Sequence, residues 1–429
     1  MVNSIHLEPR QHCRGTVTLP GSKSIANRAL LMAALCQTPV ILHNLLVSDD
    51  TSRMREALNA LGVSFEDDKL TTRVHGLGGH WNKPASELYL GNAGTAMRPL
   101  IAVLAATLKS EHQAVVLKGD ARMHERPVKH LIDAIQPRGA GVNYLGETGF
   151  PPLEMTSGLK PGHFEIDGSV SSQFISALLM ALPLLPGDST LTLKGNVVSR
   201  PYIELTLQML SDFGISIKED APQCYAITGG QCYQSPGEYW VEGDASAASY
   251  WMAAALLGKG PVEIIGVGKN SIQGDKRFAE VIEAMGASVS YHKNSMTVSG
   301  TGSVQGIDQD FNDIPDAAMT VAPLALFANK PTTIRNVANW RVKETDRLHA
   351  MATELRKLGA TVDEGEDFLR IEPLKHWRHI AIDTYDDHRM AMCFSLVAFS
   401  SAGVTINDPG CCAKTYPDYF SEFSRLCHS

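Results

Sequence analysis

The stretch PGSKSIANR, from Pro20 to Arg28, contains the pattern that decides the fold. A strand-like run, Thr16 to Leu19, leads into it, and an apolar helical run, Ala29 to Cys36, follows it. Because Pro and Gly between the two runs favour a tight turn, the stretch predicts a strand, a turn and the first turn of a helix. The unpaired N–H groups and the dipole of a helix N-terminus attract anions.

Two cations stand where a helix designed only for stability would avoid them. Lys23 and Arg28 fall in the first turns of the predicted helix, where positive charge opposes the helix dipole. Residues that break a local stability rule often serve function. The stretch therefore predicts a site for an anionic group such as a phosphate or a carboxylate.

The same opening recurs five more times along the chain, each time as a short β-like run, a polar turn and an apolar helix. The five copies are LGNAGTAMRP (Leu90–Pro99), DGSVSSQF (Asp167–Phe174), EGDASAASY (Glu242–Tyr250), NDIPDAAM (Asn312–Met319) and YDDHRMAM (Tyr385–Met392). From the first turn onward, successive turn residues lie 70, 77, 75, 70 and 73 positions apart. Because a nearly fixed period indicates a repeated supersecondary unit, we expect an α/β chain of six units rich in βαβ elements.

Several of these units contain a second predicted helix that a short strand follows. Apolar residues at helical spacing predict helices over Ser52 to Leu61, Asp275 to Gly286 and Arg347 to Gly359. Turn residues cluster at Ser235-Pro236-Gly237, between the third and fourth units, so we place a boundary between two three-unit halves there. The strand predicted at Ser4 to Leu7 could pair with either half.

Composition restricts the class of protein. A chain of 429 residues with 44% hydrophobic residues is long enough for two or three domains. The net charge of −8 argues against a nucleic-acid or anionic-membrane partner. No apolar run reaches the roughly 18 residues of a membrane span, and the first residues lack a signal-peptide pattern, so we expect a cytoplasmic protein. The eight cysteines show no metal-ligand spacing, and the chain has no P-loop motif, which favours a reaction without a cofactor.

Basic residues recur beside the predicted helix starts. They are Lys23, Arg28, Arg98, Arg126, Lys343, Arg347, Arg389 and Lys414. Lys343 and Arg347 lie four residues apart with Glu344 between them, a spacing that is also typical of a solvated, ion-paired helix face. Because similar cations recur at several helix N-termini, we favour a pocket for more than one anionic group.

Polar residues at two of the helix starts have two interpretations each. Ser171, Ser172 and Gln173 could hold a phosphate through their hydroxyl, amide and N–H groups, or they could simply cap the helix. Asp316 could be a helix cap or a general base. We interpret His388 as an ordinary partner of the neighbouring carboxylate.

Seven stretches together resemble the 5-enolpyruvylshikimate-3-phosphate synthase family, in its glyphosate-sensitive bacterial type. They are PGSKSIANR, LGNAGTAMRPL, GDARMHERP, DGSVSSQF, NDIPDAAMT, NWRVKETDR and YDDHRMAM, in the expected order from Pro20 to Lys414. The resemblance implies the enolpyruvyl transferase fold, a two-domain inside-out α/β barrel with three βαβαββ repeats in each domain. Residues 21–237 would form the first domain and residues 1–20 with 238–429 the second, with the substrate cleft between them.

The resemblance also implies the reaction. Members of this family transfer the enolpyruvyl group of phosphoenolpyruvate to the 5-hydroxyl of shikimate 3-phosphate and release phosphate, by addition and elimination, in the pathway to chorismate and the aromatic amino acids. No metal or organic cofactor is implied, and glyphosate is the family's inhibitor. We expect a cytoplasmic monomer without nucleic-acid or membrane partners.

Two sets of binding residues follow from the resemblance. The shikimate 3-phosphate set would be Lys23, Ser24, Arg28, Ser171, Ser172, Gln173, Ser199, Tyr202, Asp316, Asn339 and Lys343. The phosphoenolpyruvate set would be Lys23, Gly94, Arg126, Gln173, Arg347, Arg389 and Lys414. Asp316 would accept the proton of the 5-hydroxyl, and Glu344 or Lys23 would protonate C3. One departure is Asp386, where many relatives have Asn, and it adds a negative charge near Arg389.

Two alternative functions stay open. UDP-N-acetylglucosamine enolpyruvyl transferase shares the fold and the reaction type, but its nucleophilic cysteine would align with Ala121 when its R-P dipeptide is placed on Arg126-Pro127. A non-catalytic sugar-phosphate sensor would not need proton-transfer groups such as Asp316, Glu344 and Lys23.

Overall fold

The computed structural model describes residues 3–109, 114–156 and 158–429, and within them the chain is mixed α/β, as predicted. The helices are α1 (Lys23–Leu35), α2 (Asp49–Ala60), α3 (Gly94–Thr107), α4 (Lys129–Ile135), α5 (Ser172–Ala181), α6 (Arg200–Asp212), α7 (Ala245–Leu257), α8 (Phe278–Ala284), α9 (Pro315–Ala318), α10 (Val321–Ala325), α11 (Arg347–Leu358), α12 (His388–Phe394) and α13 (Tyr419–Leu426). The strands are β1 (Ser4–Leu7), β2 (His12–Cys13), β3 (Gly15–Thr18), β4 (Val40–His43), β5 (Ser64–Asp68), β6 (Thr71–His75), β7 (Leu88–Tyr89), β8 (Val115–Lys118), β9 (Gly141–Tyr144), β10 (Leu153–Thr156), β11 (His163–Asp167), β12 (Ser189–Lys194), β13 (Ile217–Ala221), β14 (Cys224–Ile227), β15 (Glu238–Trp240), β16 (Val262–Ile265), β17 (Ser288–Tyr291), β18 (Ser295–Ser299), β19 (Asp308–Asp310), β20 (Thr332–Arg335), β21 (Val362–Glu364), β22 (Leu369–Ile371), β23 (Ala381–Ile382), β24 (Val404–Asn407) and β25 (Cys427–His428).

The chain divides into two compact units. The first unit is Gly21–Val241, and the second unit combines Met1–Pro20 with Glu242–Ser429. Strand β15 pairs in parallel with β4, so residues 238–240 stay with the first unit. The division therefore falls four residues beyond the Ser-Pro-Gly turn at which the sequence placed it.

Among the described residues, each unit contains three sheets with a common pattern, and the second unit also contains the two-stranded sheet β2-β25. The strand orders are β15-β4-β6-β5, β7-β8-β10-β9 and β11-β12-β14-β13 in the first unit, and β17-β18-β16-β3, β19-β20-β22-β21 and β1-β24-β23 in the second. One parallel pair lies at an edge of each of these six sheets, and antiparallel strands extend it. Two of the parallel pairs join strands that are distant in the chain and lie next to the points where it passes between units. Strand β3 pairs with β16, and strand β15 pairs with β4. The N-terminal strand β1 pairs with β24 and thus belongs to the second unit.

The helix that opens a repeat lies in the core of its unit. Every residue of α7 is buried, and α1 buries all of its residues except Ser24. A helix that is apolar on all faces is covered on all faces, and the many alanines of α7 allow its neighbours to approach closely. The one residue of α1 that is not buried, Ser24, lies in its first turn beside Lys23, and both are predicted anion-binding residues.

The predicted elements are largely confirmed. All six predicted openings begin a helix, namely α1, α3, α5, α7, α9 and α12. Helix α11 ends at Gly359, which has the left-handed φ of +100° that a glycine cap provides. Helix α2 begins earlier than predicted, because Ser48 forms a capping box with Thr51. The predicted helix at 275–286 is shorter, since Gly274–Arg277 is a 3-10 turn. No helix in the described ranges is long and apolar enough to cross a membrane.

Candidate active site

In the first unit, Arg28 connects three helices, α1, α5 and α6. Its Nε donates to Thr206 Oγ1 on α6 at 2.8 Å, its Nη2 to Ser176 Oγ on α5 at 3.2 Å, and its Nη1 to the carbonyl of Ser24 on α1 at 2.9 Å. The side chain is 5% exposed, and burial lowers the pKa of Arg28 to about 10, so the guanidinium stays charged at neutral pH. These three partners orient the guanidinium without neutralising it. A buried cation of this kind favours a bound anion.

The predicted shikimate 3-phosphate residues of this unit lie at the starts of those three helices. They are Lys23 and Ser24 on α1, Ser171, Ser172 and Gln173 at the start of α5, and Ser199 and Tyr202 at the start of α6. Ser172 and Tyr202 each precede an Arg28 partner, Ser176 or Thr206, by one helical turn. The Ser171 hydroxyl accepts from the N–H of Gln173 at 3.3 Å, so the capping interpretation is confirmed for this serine.

Lys23 is the first residue of α1, and it has a carboxylate partner that sequence reasoning missed. Its Nζ lies 3.4 Å from Asp50 Oδ2 on α2, and both side chains are less than one tenth exposed. This ion pair offsets the cost of a cation in the first turn of a helix. The run Asp49-Asp50 is visible in the sequence, but nothing local indicates that Asp50 pairs with a lysine 27 residues earlier in the chain.

Gly94 begins α3, and two guanidinium groups lie against it. A Cβ added at Gly94 would lie 2.3 Å from Arg98 Nη1 and 2.8 Å from Arg126 Nη2. Arg98 donates to Gln173 Oε1 at 2.8 Å, and Arg126 donates to Asn92 Oδ1 at 2.7 Å and to the Asn92 carbonyl at 2.9 Å. Gly94 does not have a positive φ, so close approach of the two arginines is what requires a glycine here.

In the second unit, three cations surround the carboxylate of Asp316. Its Oδ1 lies 3.1 Å from Arg347 Nη1 and 3.4 Å from Lys343 Nζ, and its Oδ2 lies 3.1 Å from Arg389 Nη2. Burial alone would raise the pKa of Asp316, but the charges of Lys343, Arg389 and Arg347 outweigh it and hold this pKa well below its ordinary value. Asp316 is therefore an anion in this arrangement, and it is a weak base for as long as the three cations act on it.

Arg347 is held by further carboxylates. Its side chain is 1% exposed, its Nη2 donates to Glu344 Oε2 at 2.8 Å, and its Nε donates to Asp387 Oδ2 at 2.7 Å. Burial would lower the pKa of Arg347, but the charges of Asp387, Glu344 and Asp316 raise it. Asp387 also caps α12 by accepting from the N–H of Arg389 at 2.9 Å. One carboxylate thus fixes both arginines of the predicted phosphoenolpyruvate set in this unit.

Sequence reasoning did not assign Asp387 to the site. It noted this residue only beside His388, whose Nδ1 lies 3.6 Å from Asp387 Oδ1. The position before an apolar helix indicated a cap, but nothing local indicated an arginine forty residues earlier in the chain. The remaining predicted residues of this unit are buried on 3-10 helices, Asn339 on Ala338–Val342 and Lys414 on Pro409–Lys414.

Comparison with solved structures identifies the class of protein. The structure matches "EPSP synthase" from Acinetobacter baumannii with a TM-score of 0.81 and 26% sequence identity, over 99% of this chain and 98% of that chain. It matches the enolpyruvyl transferase NikO from Streptomyces tendae with a TM-score of 0.77 and 20% identity, over 99% of this chain and 96% of that chain. The chain therefore has the two-domain enolpyruvyl transferase fold.

Sequence comparison identifies the family within that class. The family model for EPSP synthase (3-phosphoshikimate 1-carboxyvinyltransferase) matches residues 7–423. A 3-phosphoshikimate 1-carboxyvinyltransferase from Idiomarina loihiensis is 98% identical over 429 residues, which is the full length of both chains. The chain belongs to the EPSP synthase family, and the predicted resemblance is confirmed.

Proposed function

We propose that this chain transfers the enolpyruvyl group of phosphoenolpyruvate to the 5-hydroxyl of shikimate 3-phosphate and releases phosphate. The observation that carries the proposal is the group of three cations, Lys343, Arg347 and Arg389, around the carboxylate of Asp316. It combines charges that bind an anionic substrate with a group that can accept a proton. The family match over residues 7–423 supports this reaction, a step of the shikimate pathway to chorismate and the aromatic amino acids.

Phosphoenolpyruvate presents two anionic groups, a carboxylate and a phosphate. The proposed contacts are Arg347, Arg389 and Lys414 in the second unit and Lys23, Gly94, Arg126 and Gln173 in the first. Arg126 is 3% exposed, and it donates hydrogen bonds to two neutral oxygens of Asn92, which do not compensate its charge. Guanidinium groups suit both anionic groups because they donate paired N–H groups in a plane.

Shikimate 3-phosphate would be held mainly through its phosphate and ring hydroxyls. We assign the phosphate to the starts of the three helices that Arg28 connects. Its partners would be Ser171, Ser172, Gln173, Ser199 and Tyr202, with Lys23 and Ser24 at the start of α1. Helix N-termini and a buried guanidinium both favour a phosphate dianion. Asp316, Asn339 and Lys343 of the second unit would bind the hydroxyls.

The chemistry requires a proton acceptor and a proton donor. The oxygen of the 5-hydroxyl forms a bond to C2 of phosphoenolpyruvate while Asp316 takes its proton, and C3 gains a proton from Glu344 or Lys23. Phosphate then leaves from C2, and the methyl carbon returns a proton to restore the double bond. Arg347 and Arg389 would balance the charge of the carboxylate and of the departing phosphate.

Because the pKa of Asp316 is low, binding of an anionic substrate should change how readily this carboxylate accepts a proton. The three cations suppress its basicity in this arrangement. An anionic substrate that pairs with Arg347 and Arg389 compensates part of their charge, so the pKa of Asp316 rises toward a range in which it accepts a proton. On this proposal phosphoenolpyruvate increases the basicity of the residue that activates its reaction partner.

The proposal extends to inhibition, oligomeric state and location. Glyphosate carries a phosphonate and a carboxylate, which supports inhibition at the phosphoenolpyruvate position. One chain carries both proposed sets of residues, which supports a monomer, and light scattering tests it. Both substrates are phosphorylated metabolites, which supports a cytoplasmic location.

Phosphate release measured with both substrates tests the function. We expect release only when shikimate 3-phosphate and phosphoenolpyruvate are both present. Release with UDP-N-acetylglucosamine in place of shikimate 3-phosphate would instead support the sister enzyme, and binding of both ligands without release would support a sensor. Arg389→Gln should abolish release, whereas Arg335→Gln should not, because Arg335 is an exposed arginine paired with the exposed Asp308.

A further inference from the structure

The turn before α12 has a backbone conformation that its residues rarely adopt. The N–H of Asp387 donates to the carbonyl of Thr384 at 2.9 Å, which closes a four-residue turn. Its two central residues, Tyr385 and Asp386, have φ values of +55° and +54°. Turns with two consecutive positive φ angles are dominated by Gly, Asn and Asp, so a tyrosine here is strained. Such strain persists only where the surroundings hold the residue in place.

One buried carboxylate holds this turn. Glu354, on α11, is fully buried, and its Oε1 accepts from the Tyr385 hydroxyl at 2.7 Å. Its Oε2 accepts from the N–H of Asp383 at 3.1 Å, so Glu354 forms hydrogen bonds with the residues on both sides of Thr384. Lys357 Nζ lies 2.8 Å from Glu354 Oε1 and compensates its charge. Among the described residues the carboxylate therefore has three partners, and two of them belong to the turn or to the residue directly before it.

The same helix also holds the far end of the turn. Arg347 begins α11, and Glu354 follows it by seven residues, so the two side chains lie on one helix face about 10 Å apart along the axis. Arg347 donates to Asp387, the last residue of the turn, and Asp387 in turn accepts from the N–H of Arg389. Helix α11 is thus hydrogen-bonded to the turn near its start, through Glu354, and at its end, through Arg347.

We infer that Glu354 and Tyr385 are positioning residues: their hydrogen bond keeps the Thr384–Asp387 turn in its left-handed form and so places Asp387, and through it Arg347 and Arg389, for phosphoenolpyruvate. This inference rests on the proposed function, and neither residue is assigned a contact with substrate. Burial and the hydrogen bond to Glu354 raise the pKa of Tyr385 to about 12, so its hydroxyl stays a donor over the neutral range.

The test compares two substitutions that each remove a single hydroxyl. Tyr385→Phe removes the bond to Glu354. Tyr291→Phe is the matched control, because Tyr291 lies in the same unit, is 43% exposed against 40% for Tyr385, and makes no hydroxyl hydrogen bond to any described residue. Amide hydrogen exchange in the ligand-free proteins reports the turn, and steady-state kinetics report the site. A third variant, Tyr385→Gly, also lacks the hydroxyl, but glycine adopts positive φ without strain.

We expect faster exchange at the amides of Asp387 and Arg389 in Tyr385→Phe and wild-type exchange in Tyr291→Phe. We also expect Tyr385→Phe to raise the KM for phosphoenolpyruvate by about tenfold, the effect of losing one hydrogen bond to a charged group, with less than about a twofold change in the KM for shikimate 3-phosphate. Because the strain is relieved, Tyr385→Gly should recover most of that loss.

Three results would overturn the inference. The first is unchanged amide exchange in Tyr385→Phe. The second is faster exchange with both KM values unchanged, which would make the hydrogen bond purely structural. The third is a Tyr385→Gly variant whose KM for phosphoenolpyruvate is no lower than that of Tyr385→Phe. An inactive wild-type protein would overturn the proposed function and the positioning role that rests on it. Faster amide exchange in Tyr385→Phe would then show only that the hydrogen bond stabilises the turn. The two failures are therefore distinguishable.

Discussion

Substitution of Gly94 by alanine tests whether the positions of Arg98 and Arg126 determine phosphoenolpyruvate and glyphosate binding. The added methyl carbon would lie 2.3 Å from Arg98 Nη1 and 2.8 Å from Arg126 Nη2. An ordinary contact needs about 3.5 Å, so the Arg98 group must retreat by about 1 Å. That movement lengthens its 2.8 Å hydrogen bond to Gln173 beyond bonding range.

The size of the effect follows from these displacements. A hydrogen bond to a charged group contributes about 1.5–3 kcal/mol, so we expect Gly94→Ala to weaken phosphoenolpyruvate binding by roughly 10- to 100-fold. Glyphosate is longer than phosphoenolpyruvate, so it should lose more affinity and the variant should tolerate it much better. Shikimate 3-phosphate binding should change little, because the Arg28 hydrogen bonds do not involve Gly94.

Stability should fall by no more than about 1.5–3 kcal/mol, the contribution of that one hydrogen bond, and the higher helix propensity of alanine offsets part of this loss. The obstructing atoms are ends of flexible side chains, and alanine is a better helix former than glycine at the start of α3. The assays are inhibition curves against both substrates and a thermal melt. Gly146→Ala is the control, since the nearest atom to its added Cβ is Pro152 Cδ at 3.4 Å. A Gly94→Ala variant that melts early with unaltered glyphosate sensitivity would refute the reasoning and leave Gly94 a purely backbone role.

Four further predictions concern charge and chemistry. Asp316→Asn should lower kcat by about 100-fold or more while equilibrium binding of shikimate 3-phosphate changes little, and the reverse pattern would place the base elsewhere. Because folding lowers the pKa of Asp316, its contribution to stability is present above the unfolded-state pKa of about 4 and is lost as pH falls, so Asp316→Asn should show a flatter acid limb in pH-dependent melts. Cys393→Ser should keep its turnover, since burial raises the pKa of this thiol to about 12 and leaves no thiolate at neutral pH; loss of chemistry in a folded variant would reopen the sister-enzyme alternative. Arg28→Met should lose shikimate 3-phosphate affinity by about 100-fold without lowering the melting temperature, because it removes a buried charge whose hydrogen-bond partners here are neutral, and an early melt would indicate a structural role.

Local patterns were sufficient to predict the repeat and its helix starts. The openings at Gly21, Gly91 and Gly168 each combine a turn signal with an apolar run, and both signals act within about ten residues. Gly359 was predicted as a cap for the same reason, since the end of a helix is decided by its own last turn. Cations at helix N-termini indicated an anion site because they are unfavourable for the helix itself.

Other features were visible in the sequence but ambiguous. Gly94 could serve a positive φ, close backbone packing or a ligand that lies against the missing Cβ; the structure rules out the positive φ and places two guanidinium groups against this position. In the sequence, Asp386 differs from many relatives, which have Asn, by an added negative charge. Its φ of +54° shows that the position also requires a residue that tolerates the left-handed region. In both cases the residue type narrowed the possibilities, and the backbone conformation or the neighbours selected one.

Only the tertiary structure decided which charges meet. Arg347 pairs with Asp387, Lys23 with Asp50, and Arg28 with hydroxyls of Ser176 and Thr206 that lie far along the chain. By itself the sequence determined an α/β chain of six repeats with anion-binding helix starts, because periodicity and capping are local properties. The partners of each cation depend on how separate helices pack. Hydrophobic periodicity tells which face of a helix is buried, but it does not tell which other helix covers that face.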